Sequence, residues 1–416
     1  MGPRPTRFFD SFGSTQDYNP LRTIVSQDGQ EGYILLMQMK YWSMALHFYQ
    51  PPTQELQITE AVLKSCYLPL LRTLSEKSGF GLTLNISGGL ILQLKKLGVD
   101  EFFDLVKKLI SDGKIEIVNS VMYHPLIPII PKDVVVRQIK KNSQTLKSLL
   151  GVETTNGFFP PELAVDNESL NLIDSNYIFV DESSLETRLV AKRAKDSITK
   201  YGEKYLLINN REVCDLFRAY PKELHPKTVI DLVQKNCDED GLIVTANDVE
   251  LFGHHYSERL QVLSDLLNEG EIKFIKASEA VVKFGSQVRV VSNVLPSTWQ
   301  DCKGFSLWNK NVLQRKYLEL LKIIYELTLG DLSTTTQDLL DQGSSSCYLY
   351  WLSNWPWWHP DLVRKGAENL IKCTKNAEAE AVYRDFLDKM WEYHRSGKVE
   401  IKYKEYYEKL LATRSK

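Results

Sequence analysis

Residues 157–166 read GFFPPELAVD, and this stretch combines a buried strand with a candidate for chemistry. Its first three residues are small or apolar, which predicts a short buried strand. The two prolines then end the pairing, because proline has no N–H to donate to a sheet. Glu162 follows at the strand's end, between Pro161 and Leu163. An unpaired buried charge is costly, so this glutamate is either paired or chemically active, unless it is simply a surface residue after a proline turn.

The composition is that of a globular protein with an ample core, since 43% of the 416 residues are apolar and 25% are charged. The 51 basic and 53 acidic side chains nearly balance, so we expect neither a nucleic-acid nor a membrane partner. The six cysteines form no CxxC pair, which favours free thiols in a reducing compartment. Residues 1–20 lack the apolar core of a secretion signal. We therefore expect a cytoplasmic protein.

Short apolar runs alternate with helical patterns over residues 33–290. The predicted strands are 41–48, 82–86, 114–119, 158–159, 177–181, 205–208, 242–245 and 272–275. The predicted helices between them include one capped by Thr59 and the segments 90–97, 101–111, 133–150, 168–173, 227–235, 258–267 and 278–284. Seven or eight buried strands alternating with helices predict a parallel sheet, most economically a barrel, with an open doubly wound sheet as the alternative.

The two ends of the chain differ from this central part. Residues 1–32 mix Gly, Pro, Ser, Asp and Gln without a period, which predicts a flexible N-terminal lead. Residues 291–416 show only helical patterns, at 308–327, 361–372, 377–393 and 402–411. We therefore expect a catalytic α/β barrel followed by an α-helical C-terminal domain.

Polar residues follow four of the predicted strands, and in parallel barrels the loops after the strands carry function. They are His47 with Gln50, Glu116 with His124, Glu162 alone, and Asp248 with Glu250 and His254. Glu116 lies between two isoleucines, so we expect it to point into the barrel and to pair with His47 or His124. Asp248 could instead be an ordinary helix N-cap.

Two carboxylates at different strand ends, with imidazoles around them, are the arrangement that glycoside hydrolysis needs. One ionised carboxylate attacks the sugar or activates water, while the other is held protonated and donates to the leaving oxygen. The same residue types could also bind a divalent metal, as in deacetylase-like hydrolases. We favour the first interpretation, because no HxxxH pair is present and His254 and His255 would point to opposite sides of an extended chain.

At these residues the chain resembles glycoside hydrolase family 57, the retaining α-glucan-active family of amylases, branching enzymes and glucanotransferases. HFYQP (47–51) is similar to the opening motif, with Tyr49 where a second histidine usually stands. The segments 114–130, 157–166 and 246–256 are similar to the next three motifs, with Val249 in place of a usual glycine. A looser resemblance, to the helical region that closes the family's cleft, covers residues 298–299, 308–309, 344–347 and 355–358.

The resemblance implies an incomplete (β/α)7 barrel with a helical C-terminal domain and with no metal or other cofactor. It implies that Glu162 is the nucleophile and Asp248 the general acid/base. The residues implied to hold sugar hydroxyls are His47, Gln50, Glu116, His124 and His254, with Glu250 behind them. Trp299, Trp308 and Trp351 are candidates for stacking on a sugar, although core packing explains each of them equally well.

The function expected from these residues is that of a retaining glycosidase or transglycosylase acting on α-1,4-linked glucan or maltooligosaccharide. Two alternatives stay open. One is a metal-dependent carbohydrate hydrolase on a similar barrel, and the other is a catalytically silent glucan-binding protein.

Overall fold

The structure, a computed structural model, describes residues 21–25, 31–35, 39–186, 197–219, 223–238, 240–268, 270–300, 303–331, 333–354 and 357–399. Its strands are β1 (Leu21–Val25), β2 (Glu31–Leu35), β3 (Lys40–Phe48), β4 (Leu82–Ile86), β5 (Ile115–Val118), β6 (Gly157–Phe158), β7 (Tyr177–Asp181), β8 (Ile198–Tyr201), β9 (Lys204–Asn209), β10 (Leu242–Asp248), β11 (Ile272–Phe274) and β12 (Arg289–Val291).

The helices up to β12 are α1 (Leu56–Val62), α2 (Leu68–Glu76), α3 (Gly88–Leu97), α4 (Asp100–Ser111), α5 (Lys132–Leu150), α6 (Asn167–Leu172), α7 (Arg211–Ala219), α8 (Pro226–Asn236), α9 (Arg259–Leu266) and α10 (Ala277–Phe284). After β12 follow α11 (Ser306–Asn309), α12 (Val312–Leu327), α13 (Thr334–Gly343), α14 (Ser346–Tyr350), α15 (Pro360–Ile371) and α16 (Ala377–Arg395). Among the described residues, none of these helices is long and apolar enough to cross a membrane.

Seven parallel strands form the barrel. β10, β3, β4 and β5 pair in that order, and so do β6, β7 and β9. Asn119, directly after β5, forms a parallel bridge with Phe158 of β6. On the other side, the backbone N–H of Asn210, directly after β9, donates to the carbonyl of Val244 in β10 at 2.9 Å. The predicted incomplete (β/α)7 barrel is therefore confirmed.

The strand register brings three polar residues side by side at the carboxyl ends of the strands. Asp248 of β10 pairs with His47 of β3, and His47 pairs with Asn85 of β4. Below them, alternate strand residues such as Ala45, Val118 and Val244 fill the interior of the barrel, as the period of two along a strand requires.

Gly157 is required where β6 passes β7. A Cβ at this position would lie 2.0 Å from the ring of Tyr177 and 2.7 Å from Cγ1 of Val118. Only a residue without a side chain therefore lets β6 enter the sheet beside Tyr177. This close approach fixes the strand that leads directly into Glu162.

The helices after β12 are packed onto the barrel rather than apart from it. One hydrophobic cluster contains Ile178 of β7 and Leu206 of β9 together with Tyr317 of α12 and Phe386 of α16. All described elements after β12 are helices, which supports the proposed boundary of the helical domain near residue 291. Because the core is continuous, this domain and the barrel form one folded unit.

Several predicted elements differ from those observed. The helix expected to begin at Thr59 begins at Leu56, and the Thr59 hydroxyl instead donates to Oε1 of Gln93 at 2.8 Å. The single helix expected over 308–327 is broken, because the Asn311 side chain caps a new helix by accepting from the N–H of Gln314 at 2.9 Å. Strands β8 and β12 and helices α7, α13 and α14 were not predicted.

The expected N-terminal lead contains regular structure, because β1 pairs with β2 in an antiparallel hairpin. The predicted helix over 402–411 lies outside the described residues. The predicted strand 272–275 exists as β11, but it pairs with the first residues of β3 and does not contribute an eighth strand to the barrel.

Candidate active site

Glu162 lies directly after β6, in a backbone conformation that glutamate rarely adopts. Its φ is 59° and its ψ is 14°, within a short 3₁₀ turn over Pro161–Leu163. Only 9% of the residue is exposed. The indole N–H of Trp299 donates to Oε2 of Glu162 at 2.7 Å, and the backbone N–H of Trp299 donates to its carbonyl at 3.0 Å. A non-glycine residue held with positive φ stores strain, which is common at functional sites.

Asp248 is the last residue of β10 and stands at the N-cap position of a 3₁₀ turn, Val249–Leu251. Its side chain does not cap that turn, so the N-cap interpretation of this aspartate is wrong. Within the described part of the chain, no hydrogen-bond donor contacts the Asp248 carboxyl. The Asp248 side chain therefore lies at the carboxyl end of the barrel strands without the capping hydrogen bond that usually explains an aspartate at this position.

Burial raises the pKa of both carboxyls to about 7. For Glu162, desolvation is the largest cause, and the charge of Asp248 raises the pKa further. Hydrogen bonds from Trp299 and Gln300 act in the opposite direction. For Asp248, desolvation again comes first, followed by the charge of Glu250. The charge of Asp248 therefore acts on Glu162. The surroundings of the two carboxyls differ, because Glu162 accepts hydrogen bonds whereas Asp248 lies beside charged Glu250.

Arg218 of α7 acts on both carboxyls, and no sequence pattern had indicated it. Its positive charge lowers the pKa of Glu162 and that of Asp248 against the effect of burial. The guanidinium pairs with Asp215 at 2.6 Å, and the carbonyl of Arg218 accepts from the Tyr256 hydroxyl at 2.9 Å. Arg218 is thus a cation that acts on both carboxyls, but α7 shows no motif through which sequence reasoning could find it.

His47 and His124 bind each other and two further protein groups. Their Nε2 atoms are 3.1 Å apart, Nδ1 of His47 is 2.7 Å from Oδ1 of Asn85, and Nδ1 of His124 is 3.0 Å from Oγ of Ser346. Burial lowers the pKa of His47 to about 4 and that of His124 well below its usual value. Asn85 Oδ1 can only accept, so His47 carries its proton on Nδ1, and His124 donates from Nε2 to His47. All four ring nitrogens are engaged, which leaves none for a sugar hydroxyl in this arrangement.

Tyr49 covers these imidazoles and links the barrel to the helical domain. Its ring stacks on His124 with the centroids 4.1 Å apart. Its hydroxyl is 3.1 Å from Oγ of Ser345 and 3.3 Å from Sγ of Cys347. The backbone N–H of Ser346 donates to the carbonyl of His124 at 2.9 Å. These contacts occupy the side of the site where the resemblance places a second histidine.

Gln50, Glu250 and His255 form a polar group beside Asp248. The Gln50 amide donates to Oε1 of Glu250, and Nε2 of His255 is 3.4 Å from Oε2 of Glu250. Hydrogen bonding to Glu250 and the charges of Glu250 and Asp248 raise the pKa of His255. The expected places of Gln50 and Glu250 near Asp248 thus match the structure, and their role in substrate binding stays a prediction.

Of the two neighbouring histidines, His255 rather than the predicted His254 contacts Glu250, and a role of His254 in sugar binding stays a prediction. His254 is exposed, and its Nδ1 is 3.1 Å from Oγ of Ser65, on the helical layer outside the barrel. Gly253, at a φ of 127°, turns the chain there, and the imidazole that returns to Glu250 is that of His255. Both histidines belong to one sequence motif, and the backbone turn at Gly253 determines which imidazole lies next to Glu250.

Glu116 points into the barrel as expected, but its predicted partners are wrong. Its Oε1 accepts from the Thr83 hydroxyl at 2.8 Å and from the backbone N–H of Ser278 at 3.0 Å. Thr83 pairs with Ala45, two residues before His47, so Glu116 lies one layer below the histidines, about 6–7 Å away along the strands. It has no contact with the site residues.

The three tryptophans predicted to stack on sugars have different surroundings. Trp299 contacts Glu162 and lies edge-on to His47 at a centroid distance of 6.0 Å. Trp308 is fully buried in the helical domain, so it cannot stack on a ligand there, and that prediction is wrong. Trp351 is half-buried and packs on Tyr348 and His359, which favours the packing interpretation.

Thiols and possible metal ligands are the remaining groups that could carry chemistry. The five cysteines within the described residues are free thiols, as predicted. In the same ranges, no three His, Cys, Asp or Glu side chains lie where they could bind a metal ion together. Burial raises the pKa of Cys347 and that of Tyr350, and the charge of Glu162 raises both further.

Comparison with known sequences gives one family. The model described as Glycosyl hydrolase family 57 matches residues 28–293. The alpha-amylase of Pyrococcus furiosus is 30% identical over 141 residues, which are 33% of this chain and 21% of that protein. The 4-alpha-glucanotransferase of Thermococcus kodakarensis is 28% identical over 150 residues, 35% of this chain and 22% of that protein. The matched part thus spans about a fifth of the length of these relatives.

Solved structures with the same fold have low sequence identity. The 4-alpha-glucanotransferase of Thermococcus litoralis superposes with a TM-score of 0.63 at 17% identity, covering 80% of this chain and 59% of that one. The GH57-type branching enzyme of Pyrococcus horikoshii gives a TM-score of 0.63 at 14% identity, covering 86% and 96% of the two chains. These two likenesses concern the fold.

Proposed function

Because this chain belongs to glycoside hydrolase family 57, we propose that it is a retaining glycoside hydrolase or transglycosylase that acts on α-1,4-linked glucans, with Glu162 as nucleophile and Asp248 as general acid/base. The observation that carries this proposal is the pair of buried carboxyls after β6 and β10. Their pKa values are both raised to about 7, and the charge of one acts on the other. Burial disfavours the charged form of each carboxyl, so a protonated and an ionised carboxyl can coexist in this site near neutral pH.

The surroundings of the two carboxyls support the assignment of their roles. Glu162 accepts the indole N–H of Trp299 at 2.7 Å, and hydrogen bonds to a charged form stabilise that form. Asp248 has no such donor within the described residues, and its second-largest influence is repulsion from Glu250. The indole donor is the reason for assigning the ionised form to Glu162, and the lack of such a donor is the reason for assigning the protonated form to Asp248.

The chemistry follows from these two states. The Glu162 carboxylate attacks the anomeric carbon, and Asp248 gives its proton to the glycosidic oxygen as the bond to the leaving sugar breaks. In the second half, ionised Asp248 removes a proton from water or from an acceptor sugar hydroxyl, whose oxygen displaces Glu162. Two displacements at one carbon leave the anomeric configuration unchanged. Arg218 balances the charge of whichever carboxyl is ionised.

Rescue by an external nucleophile tests both roles. With an activated aryl α-maltoside and azide, Glu162→Ala should give β-maltosyl azide, because azide replaces the missing carboxylate in one inverting displacement. Asp248→Ala should give α-maltosyl azide, because azide attacks an intact glycosyl-enzyme. Product configuration is read by NMR. Asp341→Asn changes a buried carboxyl with a raised pKa outside the site, and its activity should stay near that of the wild type.

The acceptor and the substrate class are tested together on unmodified glucans. Maltoheptaose and amylose are incubated with the wild-type protein, and shorter, longer and branched products are separated. Formation of products with an initial α-anomer supports the proposal. Binding of maltoheptaose without turnover, or an initial β-anomer, contradicts it, the former in favour of the catalytically silent alternative.

A further inference from the structure

A buried ion pair that none of the family motifs includes lies behind the segment that carries Trp299. Asp181, the last residue of β7, is fully buried, and Arg211, the first residue of α7, is about one-fifth exposed. Nε of Arg211 donates to Oδ1 and Oδ2 of Asp181 at 2.8 and 3.0 Å, and Nη2 is 2.7 Å from Oδ1. This forked geometry fixes the plane of the guanidinium.

The surroundings of Asp181 hold the carboxylate rigidly. Its oxygens also accept from the hydroxyl of Ser183 at 2.6 Å, the backbone N–H of Ser183 at 3.0 Å and the amide of Asn209 at 3.2 Å. A buried ion pair is weak evidence for a role in stability, since apolar residues of similar volume often serve as well. The pair therefore calls for an explanation other than stability.

The free side of the guanidinium contacts the backbone on both sides of Trp299. Nη2 of Arg211 donates to the carbonyl of Thr298 at 2.8 Å and to that of Gln300 at 3.2 Å. Trp299 lies between these two residues. It donates its backbone N–H to the carbonyl of Glu162 and its indole N–H to the Glu162 carboxyl. Asp181 and Arg211 are thus linked to Glu162 through the backbone carbonyls on either side of Trp299 and through Trp299 itself.

We propose that Arg211, oriented by Asp181, is a positioning residue that holds the Trp299 indole N–H against Glu162. This inference rests on the proposed role of Glu162 as nucleophile. Without the guanidinium, the segment loses two of the hydrogen bonds that hold its backbone, although the pairing of Ser297 with Val165 and the contact of Ser183 with the Thr298 carbonyl remain. The indole can then move away from the carboxyl, and the ionised form of Glu162 loses a donor.

The predicted effect is on chemistry rather than on binding. A displacement of about 1 Å in a reacting group costs about a hundredfold in rate, so kcat of Arg211→Met should fall about tenfold to a hundredfold with little change in KM. Loss of the donor raises the pKa of Glu162, so the acidic limb of the kcat/KM profile should move to higher pH. Arg211→Lys should recover little, because an ammonium cannot make the fork.

The matched control is a second buried ion pair, Arg137 with Asp341. Its arginine and aspartate are 26% and 1% exposed, against 21% and 0% for Arg211 and Asp181. Arg137→Met should lower the thermal midpoint by an amount similar to that for Arg211→Met, and it should leave the acidic limb in place. A shift in both variants, or in neither, would overturn the proposal.

A double-mutant cycle with Trp299→Phe isolates the connection. Trp299→Phe alone should reproduce the shift of the acidic limb, and adding Arg211→Met to it should move the limb little further. Additive shifts contradict the proposal. If Arg211→Met does not fold, Asp181→Asn takes its place in the same cycle. Failure of the proposed function gives a different result, because Glu162→Ala would then keep its activity. Failure of the positioning role alone would leave Glu162→Ala inactive and the acidic limb of Arg211→Met unmoved.

Discussion

The imidazoles of His47 and His124 meet through their Nε2 atoms at 3.1 Å. One nitrogen must carry a hydrogen and the other must not, so the contact requires at least one of the two rings to be neutral. The Ser346 hydroxyl donates to His124, His124 donates to His47, and His47 donates to the Asn85 side-chain oxygen. Sequence reasoning assigned these two histidines to substrate binding. In the folded chain they hydrogen-bond to each other and line the site, each in a single tautomer.

The first prediction concerns the acid stability that this pair implies. His47 has a pKa of about 4 in the folded chain against 6.5 in an unfolded one. The unfolded state therefore binds more protons between these values, and the contribution of His47 to the free energy of unfolding falls as pH drops from 6.5 towards 4. Between pH 7 and pH 5 we expect the stability difference between wild type and His47→Phe to shrink by about 2 kcal/mol. Urea unfolding at both pH values measures it, and a constant difference contradicts the prediction.

The second prediction is that the proposed nucleophile destabilises the fold at neutral pH. The pKa of Glu162 is about 7 against 4.5 in the unfolded chain, so here the folded state binds more protons, and stability falls as pH rises from 4.5 to 7. Glu162→Gln should increase the free energy of unfolding by about 3 kcal/mol at pH 8 and by almost nothing at pH 4, while activity is lost. Equal effects at both pH values in urea unfolding contradict it.

The third prediction concerns Arg218. Its charge lowers the pKa of both Glu162 and Asp248. Arg218→Gln should therefore move both limbs of the kcat/KM profile to higher pH, in contrast to a change that acts on Glu162 alone. Arg72→Gln is the control, since this arginine forms an exposed ion pair with Glu101 on the helical layer. A movement of only one limb would show that Arg218 serves one carboxyl.

The fourth prediction separates the two functions of Tyr49. Tyr49→Phe keeps the stack on His124 and loses the hydroxyl contacts with Ser345 and Cys347, which should cost about 1 kcal/mol. Tyr49→Ala also removes the ring and should cost about 3–5 kcal/mol in total. Chemical unfolding measures both changes. Similar losses for the two variants would mean that the ring contributes nothing to the link between barrel and helical domain.

The barrel was predictable from the sequence because its strands are short apolar runs with turn residues at their ends. The carboxyl-end rule then selected Glu162 and Asp248, and the charge of Asp248 does raise the pKa of buried Glu162. The strands that sequence reasoning missed, β8 and β12, have only four and three residues, too few to show a hydrophobic period.

The rest of the site depends on distances that sequence spacing does not contain. Which of His254 and His255 faces inward is decided by the backbone turn at Gly253. Glu116 has the correct orientation but the wrong height along the barrel, because height depends on the register with Thr83. Arg211 and Arg218 come from a helix that was not predicted, and arginines on a helix surface give no signal of their own.

The contacts of Ser345, Ser346 and Cys347 with Tyr49 and His124 have a consequence for biosynthesis. These partners are separated by 222 to 298 positions along the chain. A growing polypeptide can assemble the strands as they leave the ribosome, but it cannot complete this wall of the catalytic pocket until residue 347 has emerged. Nascent chains released before that point would contain both carboxyls and still lack a finished enzyme.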